Sequence, residues 1–210
     1  MKNFGDAFIL CGGKSRRMGF DKTLLKIEDE YVIDTMKAKL KEAFDHVHLS
    51  ALCGAKFADF DINVVEDIYK GGFGPAAAIH ASLLASSSKY IFVVAVDMPL
   101  INIDHIKHMM DTLKAIIDSG HSPHALIPRC GEFREVLYAF YSIDILPAIE
   151  KHIKNQSYKI RDILSDLDVA YLEEGESCSF DKKLTMFTNL NYVEDLEKLD
   201  QKCQSGGANL

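Results

Sequence analysis

Gly12 and Gly13 stand one residue beyond the apolar run Phe8, Ile9 and Leu10, after Cys11, and they are followed by Lys14, Arg16, Arg17 and Lys22. That order is a phosphate grip. Paired glycines let the backbone turn sharply and bring N–H groups close to an oxyanion. Arginine adds a forked donor, and lysine a compact charge that can follow a phosphoryl group as it moves. Two familiar phosphate motifs fail on spacing. The GKS at Gly13, Lys14 and Ser15 has Phe8 where a Walker A loop needs its first glycine, and no later glycine completes GxGxxG after Gly12. A second chemical position is Asp97, which closes the run YIFVVAV and is followed by Met98 and Pro99. A carboxylate at the mouth of a buried strand, facing a cationic phosphate loop, suits Mg2+, which combines one or two carboxylates with phosphates and water. The competing role for Asp97 is a cap on the turn. A third is the loop Glu66, Asp67, Gly71, Gly72, Phe73, Gly74 and Pro75, where glycines permit close backbone approach and Pro75 suits the first turn of a helix.

These positions need a scaffold, and the hydrophobic pattern supplies one. Strand-like segments at 7–11, 46–52, 63–66 and 90–96 alternate with helix-like segments at 31–44, 75–87 and 103–117, which is the grammar of βαβ units. Asn102 is placed to cap the 103–117 helix and Gly120 to end it. Later strands are expected at 125–127, 136–140 and 167–172, with helices at 143–154 and 159–165. The acidic stretch Glu173, Glu174 and Glu176 reads as a solvated loop. In open sheets of this kind ligands sit beyond the carboxyl ends of the strands, so the loops after residues 11, 66 and 96 should share one crevice.

Composition narrows the classes. A chain of 210 residues with 48% hydrophobic and 26% charged residues supports one substantial core, expected over 1–202, with 203–210 as a flexible tail. The formal net charge of −7 opposes general nucleic-acid binding. The longest apolar runs are too short to span a bilayer and no leader pattern opens the chain, so a cytoplasmic protein is expected. Five scattered cysteines without a CxxC pair fit reduced thiols. His105 and His108, three apart, read as a solvated helix face, and no GxSxG elbow or HExxH supports acyl or zinc chemistry.

The string Leu10, Cys11, Gly12, Gly13, Ser15, Arg17, Met18, Gly19, Asp21, Lys22, Leu24 and Leu25 closely resembles the signature LxGGxSxRMGxDKxLL of MobA-like nucleotidyltransferases. Within them it is most similar to the molybdenum cofactor guanylyltransferases. The resemblance implies an α/β, three-layer, Rossmann-like nucleotidyltransferase fold with a mostly parallel mixed sheet. It implies transfer of GMP from GTP to the terminal phosphate of molybdopterin, releasing pyrophosphate and using Mg2+ held by Asp97. Carried over by position, Lys22, Asp97 and Arg17 would be catalytic. Leu10, Cys11, Gly12, Gly13, Lys14, Lys22, Asp67, Gly74 and Asp97 would bind the nucleotide, with Asp67 or its neighbour Glu66 reading the base. Asn189 and Asn191 echo the family's NxNxxxDL segment and would lie toward the pterin-bearing acceptor, although Asn191 with Glu194 also fits a capping-box pattern. Ala78 departs from the family's usual glycine. Arg134-Glu135-Val136 replaces its His-Pro or Gln-Pro step. Cytidylyl or other nucleotidyl transfer to a molybdopterin or sugar phosphate is the alternative enzyme, and a non-catalytic nucleotide-binding module the alternative of another class. Cofactor-insertion proteins and molybdoenzymes are the partners the resemblance implies.

Overall fold

The computed structural model describes residues 2–12, 26–27 and 30–190. In chain order the elements are β1 (Asp6–Cys11), β2 (Lys26–Ile27), β3 (Glu30–Tyr31), α1 (Val32–Leu40), β4 (His46–Ala51), β5 (Asn63–Glu66), α2 (Pro75–Ala85), β6 (Tyr90–Ala95) and α3 (Ile103–Asp118). They continue with β7 (Ala125–Cys130), β8 (Phe133–Arg134), β9 (Tyr138–Ser142), α4 (Leu146–Lys154), α5 (Ile160–Leu164), β10 (Val169–Glu173) and α6 (Glu174–Cys178). An eight-stranded sheet runs in the order β10-β7-β9-β6-β1-β4-β5, with β8 paired to β7, while β2 and β3 form a separate ribbon. Only β8 and β9 run against the rest, so β1, β4, β5, β6, β7 and β10 all end at one edge. The expected mostly parallel mixed sheet is therefore present.

Period-two burial explains why these runs are strands packed on both faces. Ala7, Ile9 and Cys11 of β1 join one core with Tyr90, Phe92 and Val94 of β6, covered by Ile33 and Met36 of α1 and Ile106 and Met109 of α3. Phe8 and Leu10 turn the other way, with Ile91 and Val93, under Ile79 of α2, Ile149 of α4 and Ile163 of α5. Helices on both faces give three layers. Burying each of these aliphatic side chains contributes about 1.5–3 kcal/mol, enough to fix the register that aims the strand ends.

Helix ends follow local chemistry. The Asn102 side chain accepts from the His105 N–H at 3.0 Å and caps α3, and Gly120 beyond its other end has φ +89°. Pro75 opens α2 after Gly74. Several expectations are corrected. Helix α1 stops at Leu40 and gives way to a turn at 41–43. Strand β9 begins at Tyr138 and not at 136, because Val136 N–H donates to the Arg134 carbonyl at 3.1 Å and bends the chain. The acidic stretch at 173–176 ends β10 and opens α6, where Glu173 and Glu176 form a capping box. His105 is fully buried, its Nε2 3.0 Å from Ser177 Oγ, and it is not on a solvated face; His108 is the half-exposed member of the pair. The helix expected after Asn191 and the 203–210 tail lie outside the described residues. No described helix is long and apolar enough to cross a membrane.

Candidate nucleotide site

Strand β1 delivers Leu10, Cys11 and Gly12 to the common carboxyl edge. Leu10 and Cys11 are buried in the two opposite cores, while Gly12 is exposed. A Cβ added at Gly12 would meet nothing within 4 Å, and its φ lies outside the left-handed range. Neither packing nor backbone geometry among the described residues demands glycine there. Gly13, Lys14, Arg16, Arg17 and Lys22 lie outside the described residues.

Strand β6 delivers Asp97 beside that end. Val96 N–H donates to the Leu10 carbonyl at 3.1 Å and Met98 N–H to the Ala95 carbonyl at 3.0 Å, so the turn carrying the half-buried Asp97 is tied to β1. The C-terminal segment closes on the same turn, since Leu190 N–H donates to the Asp97 carbonyl at 2.7 Å. Exposed Asn189 is thereby brought next to Asp97 in the chain's folding, while Asn191 lies outside the described residues.

A residue that motif reading did not place in the site is Glu135. The antiparallel β6–β9 register pairs Tyr90 with Ser142 and Val94 with Tyr138, and the Ala95 N–H to Leu137 carbonyl bond at 3.0 Å extends it. Beyond that bond the chain bends, and the Asp97 charge acting on the Glu135 carboxyl marks the two carboxylates as neighbours. Glu135 is only 6% exposed, and burial, followed by the Asp97 charge, pushes its carboxyl up to about 7. The Leu137 N–H donates to its Oε1 at 3.4 Å, and Arg161 pulls the other way. The sequence signal was the departure at Arg134-Glu135-Val136.

Strand β5 delivers Glu66 and Asp67, and the structure separates them. Glu66 is held outward, accepting from Gly54 N–H at 2.8 Å and from Lys70 Nζ at 2.9 Å, which keep its carboxyl low. Asp67 is 8% exposed, its own N–H donates to the Ala51 carbonyl at 3.0 Å, and its Oδ1 has no partner among the described residues. Burial raises the Asp67 carboxyl, and hydrogen bonding from Ser50 only partly offsets this. A buried acceptor without a donor is costly by about 1–3 kcal/mol, and a ligand N–H would relieve it. Gly74 then turns the chain into α2 at φ +59° and ψ −149°, a region open essentially to glycine.

The donor set near Asp97 fits a hard divalent cation. Asp97 and Glu135 carry carboxylates, no histidine or cysteine cluster competes among the described residues, and Mg2+ needs only one or two protein carboxylates when phosphates and water complete its shell. Among the described residues no group of three or more metal-ligating side chains forms a cage independent of a ligand.

The model of the MobA-like NTP transferase domain matches residues 7–171. A probable molybdenum cofactor guanylyltransferase of Peptoclostridium acidaminophilum is 35% identical over 203 residues, covering 97% of this chain and 91% of that one. The molybdenum cofactor guanylyltransferase of Syntrophotalea carbinolica is 36% identical, covering 93% and 90%. Among solved structures, molybdopterin-guanine dinucleotide biosynthesis protein A of Archaeoglobus fulgidus superposes with a TM-score of 0.79 at 26% identity, over 95% of this chain and 99% of that one. A 2-C-methyl-D-erythritol 4-phosphate cytidylyltransferase of Thermus thermophilus shares the fold alone, with a TM-score of 0.64 at 14% identity, over 94% and 98%.

Proposed function

This chain belongs to the MobA-like NTP transferase family, and from that premise we propose that it transfers GMP from GTP to the terminal phosphate of molybdopterin. The product is a pyrophosphate-linked guanine dinucleotide cofactor. In the transfer, an acceptor phosphate oxygen forms a bond to the α-phosphorus of GTP, the α–β anhydride bond breaks, and pyrophosphate leaves. No protein nucleophile is required, because the acceptor is already anionic. The protein must hold two anions in line and offset their charge.

Gly12 and, from the sequence, Gly13, Lys14, Arg17 and Lys22 would hold the phosphates, with Lys22 and Arg17 offsetting charge at the reacting centre. Asp97 and Glu135 would hold the Mg2+ that neutralises the phosphates and polarises the α-phosphoryl group when bound. Asn189 and Asn191 would border the acceptor. The single observation that supports guanine as the base is the orphaned, buried Oδ1 of Asp67. A carboxylate accepts from guanine N1–H and N2–H together, a pairing cytosine cannot offer in the same geometry.

The test is calorimetry of GTP, CTP, ATP and UTP with Mg2+, on the wild type and on Asp67→Ala. GTP should bind best, and the substitution should erase that preference. A preference for CTP would move the activity to cytidylyl transfer, and no binding of any triphosphate would overturn enzymatic transfer.

A further inference from the structure

The loop from Asp67 to Gly74 has almost no backbone framework of its own. Asp67 N–H donates to the Ala51 carbonyl at 3.0 Å, and the Gly74 carbonyl accepts from Ala77 N–H at 3.2 Å. Between them, from 68 to 73, no backbone hydrogen bond is made among the described residues. Gly71, Gly72 and Gly74 all hold positive φ, at +132°, +92° and +59°. Such a stretch has many backbone paths open to it, and ordering it costs conformational entropy that no backbone bond offsets.

Two aromatic side chains supply the missing constraint. Tyr69 and Phe73, each partly buried, pack against the core that α2, α4 and α5 cover. The Tyr69 ring meets the buried His80 of α2 edge-on, with centroids 4.9 Å apart and planes at 62°. His80 is steadied in turn from α4, its Nε2 lying 3.4 Å from Glu150 Oε1. Phe73 meets Tyr69 at 6.0 Å and 63°, and Tyr158 at 5.6 Å and 79°. Tyr158 stands in the connection between α4 and α5 and is 40% exposed. The four rings thus form one file, from His80 through Tyr69 and Phe73 to Tyr158, in the edge-to-face arrangement that ring quadrupoles favour.

We propose that Phe73 and Tyr158 are positioning residues for base selection, because this aromatic file clamps the glycine loop to α2 and to the α4–α5 connection and so fixes Asp67 and Gly74 against the nucleotide. The assignment rests on the nucleotide reading proposed above. In this role neither ring contacts the base, and each acts through the loop between β5 and α2. The clamp serves the base and not the phosphates, which in the same reading are held by the separate loop after β1.

The experiment uses the full chain and calorimetry of GTP and ATP with Mg2+, with urea unfolding run on each variant. Wild type should prefer GTP, and Asp67→Ala should lose that preference. Tyr158→Ala and Phe73→Leu should each weaken GTP by roughly threefold to tenfold, as expected for loss of an edge-to-face pair, and leave ATP within about twofold. Tyr158→Phe should keep GTP within about twofold of wild type, because the ring and not the hydroxyl makes the contact. Tyr158 is exposed, so its variants should unfold at urea concentrations close to wild type, and lost affinity is then not lost fold. In the Asp67→Ala background, Tyr158→Ala should change GTP affinity by less than about twofold, since both act through one contact. An intact GTP preference in Tyr158→Ala and Phe73→Leu, an equal loss of GTP and ATP, or full additivity with Asp67→Ala would each overturn the clamp and leave the base reading in place. A wild type with no preference for GTP, or an Asp67→Ala protein that keeps it, would overturn the base reading and the clamp with it.

Discussion

At the scale of single residues, the two adjacent carboxylates after β5 have opposite fates. Glu66 is satisfied by Gly54 and Lys70, whereas Asp67 is buried with an oxygen that no described residue serves. A site that keeps such a group trades stability for recognition. Asp67→Asn should therefore leave the ligand-free protein as stable or more stable, yet shrink the GTP-induced rise in melting temperature. A loss of 1–3 kcal/mol, roughly 5- to 150-fold in GTP affinity, is expected. Glu66→Gln should change neither by much. Equal effects of the two substitutions on GTP affinity would remove Asp67 from the base site. Sequence alone left these two residues as alternatives because their separation depends on which one the turn buries. Glu135 was obscure because only the fold brings it near Asp97, 38 positions away in the chain. His105 was misplaced because a 3.6-residue period does not reveal that α6 and the segment after it cover that face of α3.

At the scale of elements, the two loop glycines make separable predictions. Gly74 holds a backbone conformation that side chains rarely adopt, so Gly74→Ala should lower folding stability by about 1–3 kcal/mol in urea titrations and weaken nucleotide binding as the loop shifts. Gly12 is under no such constraint, and its added methyl meets none of the described residues. Gly12→Ala should leave stability within about 0.5 kcal/mol of wild type while reducing GTP affinity at least tenfold. A Gly12→Ala protein that binds GTP normally would refute the close approach of phosphate to β1. Strands β1 and β6 were legible from apolar runs because both faces are buried, and β4 and the partly exposed edge strand β5 because the βαβ order leaves few topologies. The short pairs β2–β3 and β8 carry two residues per strand, too few for any periodicity, and the bend before β9 arises from Arg134 to Leu137 bonds that no pattern of hydrophobicity encodes.

At the scale of the whole molecule, the described C-terminal segment is an arm that ends on the Asp97 turn. It crosses α3 through Phe180, Met186 and Phe187 and reaches the Asp97 turn through Leu190. His105 lies beneath that arm, fully buried, bonded to Ser177 and ringed by Tyr138, Phe180 and Phe187. Desolvation, followed by repulsion from His108, lowers its pKa from 6.5 to about 4. In that window the unfolded chain binds a proton that the folded chain refuses, so stability should fall as pH drops from about 6.5 to about 4. The loss attributable to this residue is about 3 kcal/mol, from 1.36 kcal/mol per pKa unit. Carboxylates elsewhere also titrate in acid, and the difference between wild type and His105→Gln isolates the histidine. Urea unfolding at pH 7, 5.5 and 4.5 should show wild type losing stability faster than the variant, by about 2 kcal/mol at pH 4.5. Parallel slopes would mean that the imidazole is hydrated and the arm loosely seated. A steeper wild-type slope accompanied by weaker GTP binding at pH 5 than in the variant would tie the seating of the arm to the geometry of Asp97, because the two are joined by the Leu190 hydrogen bond.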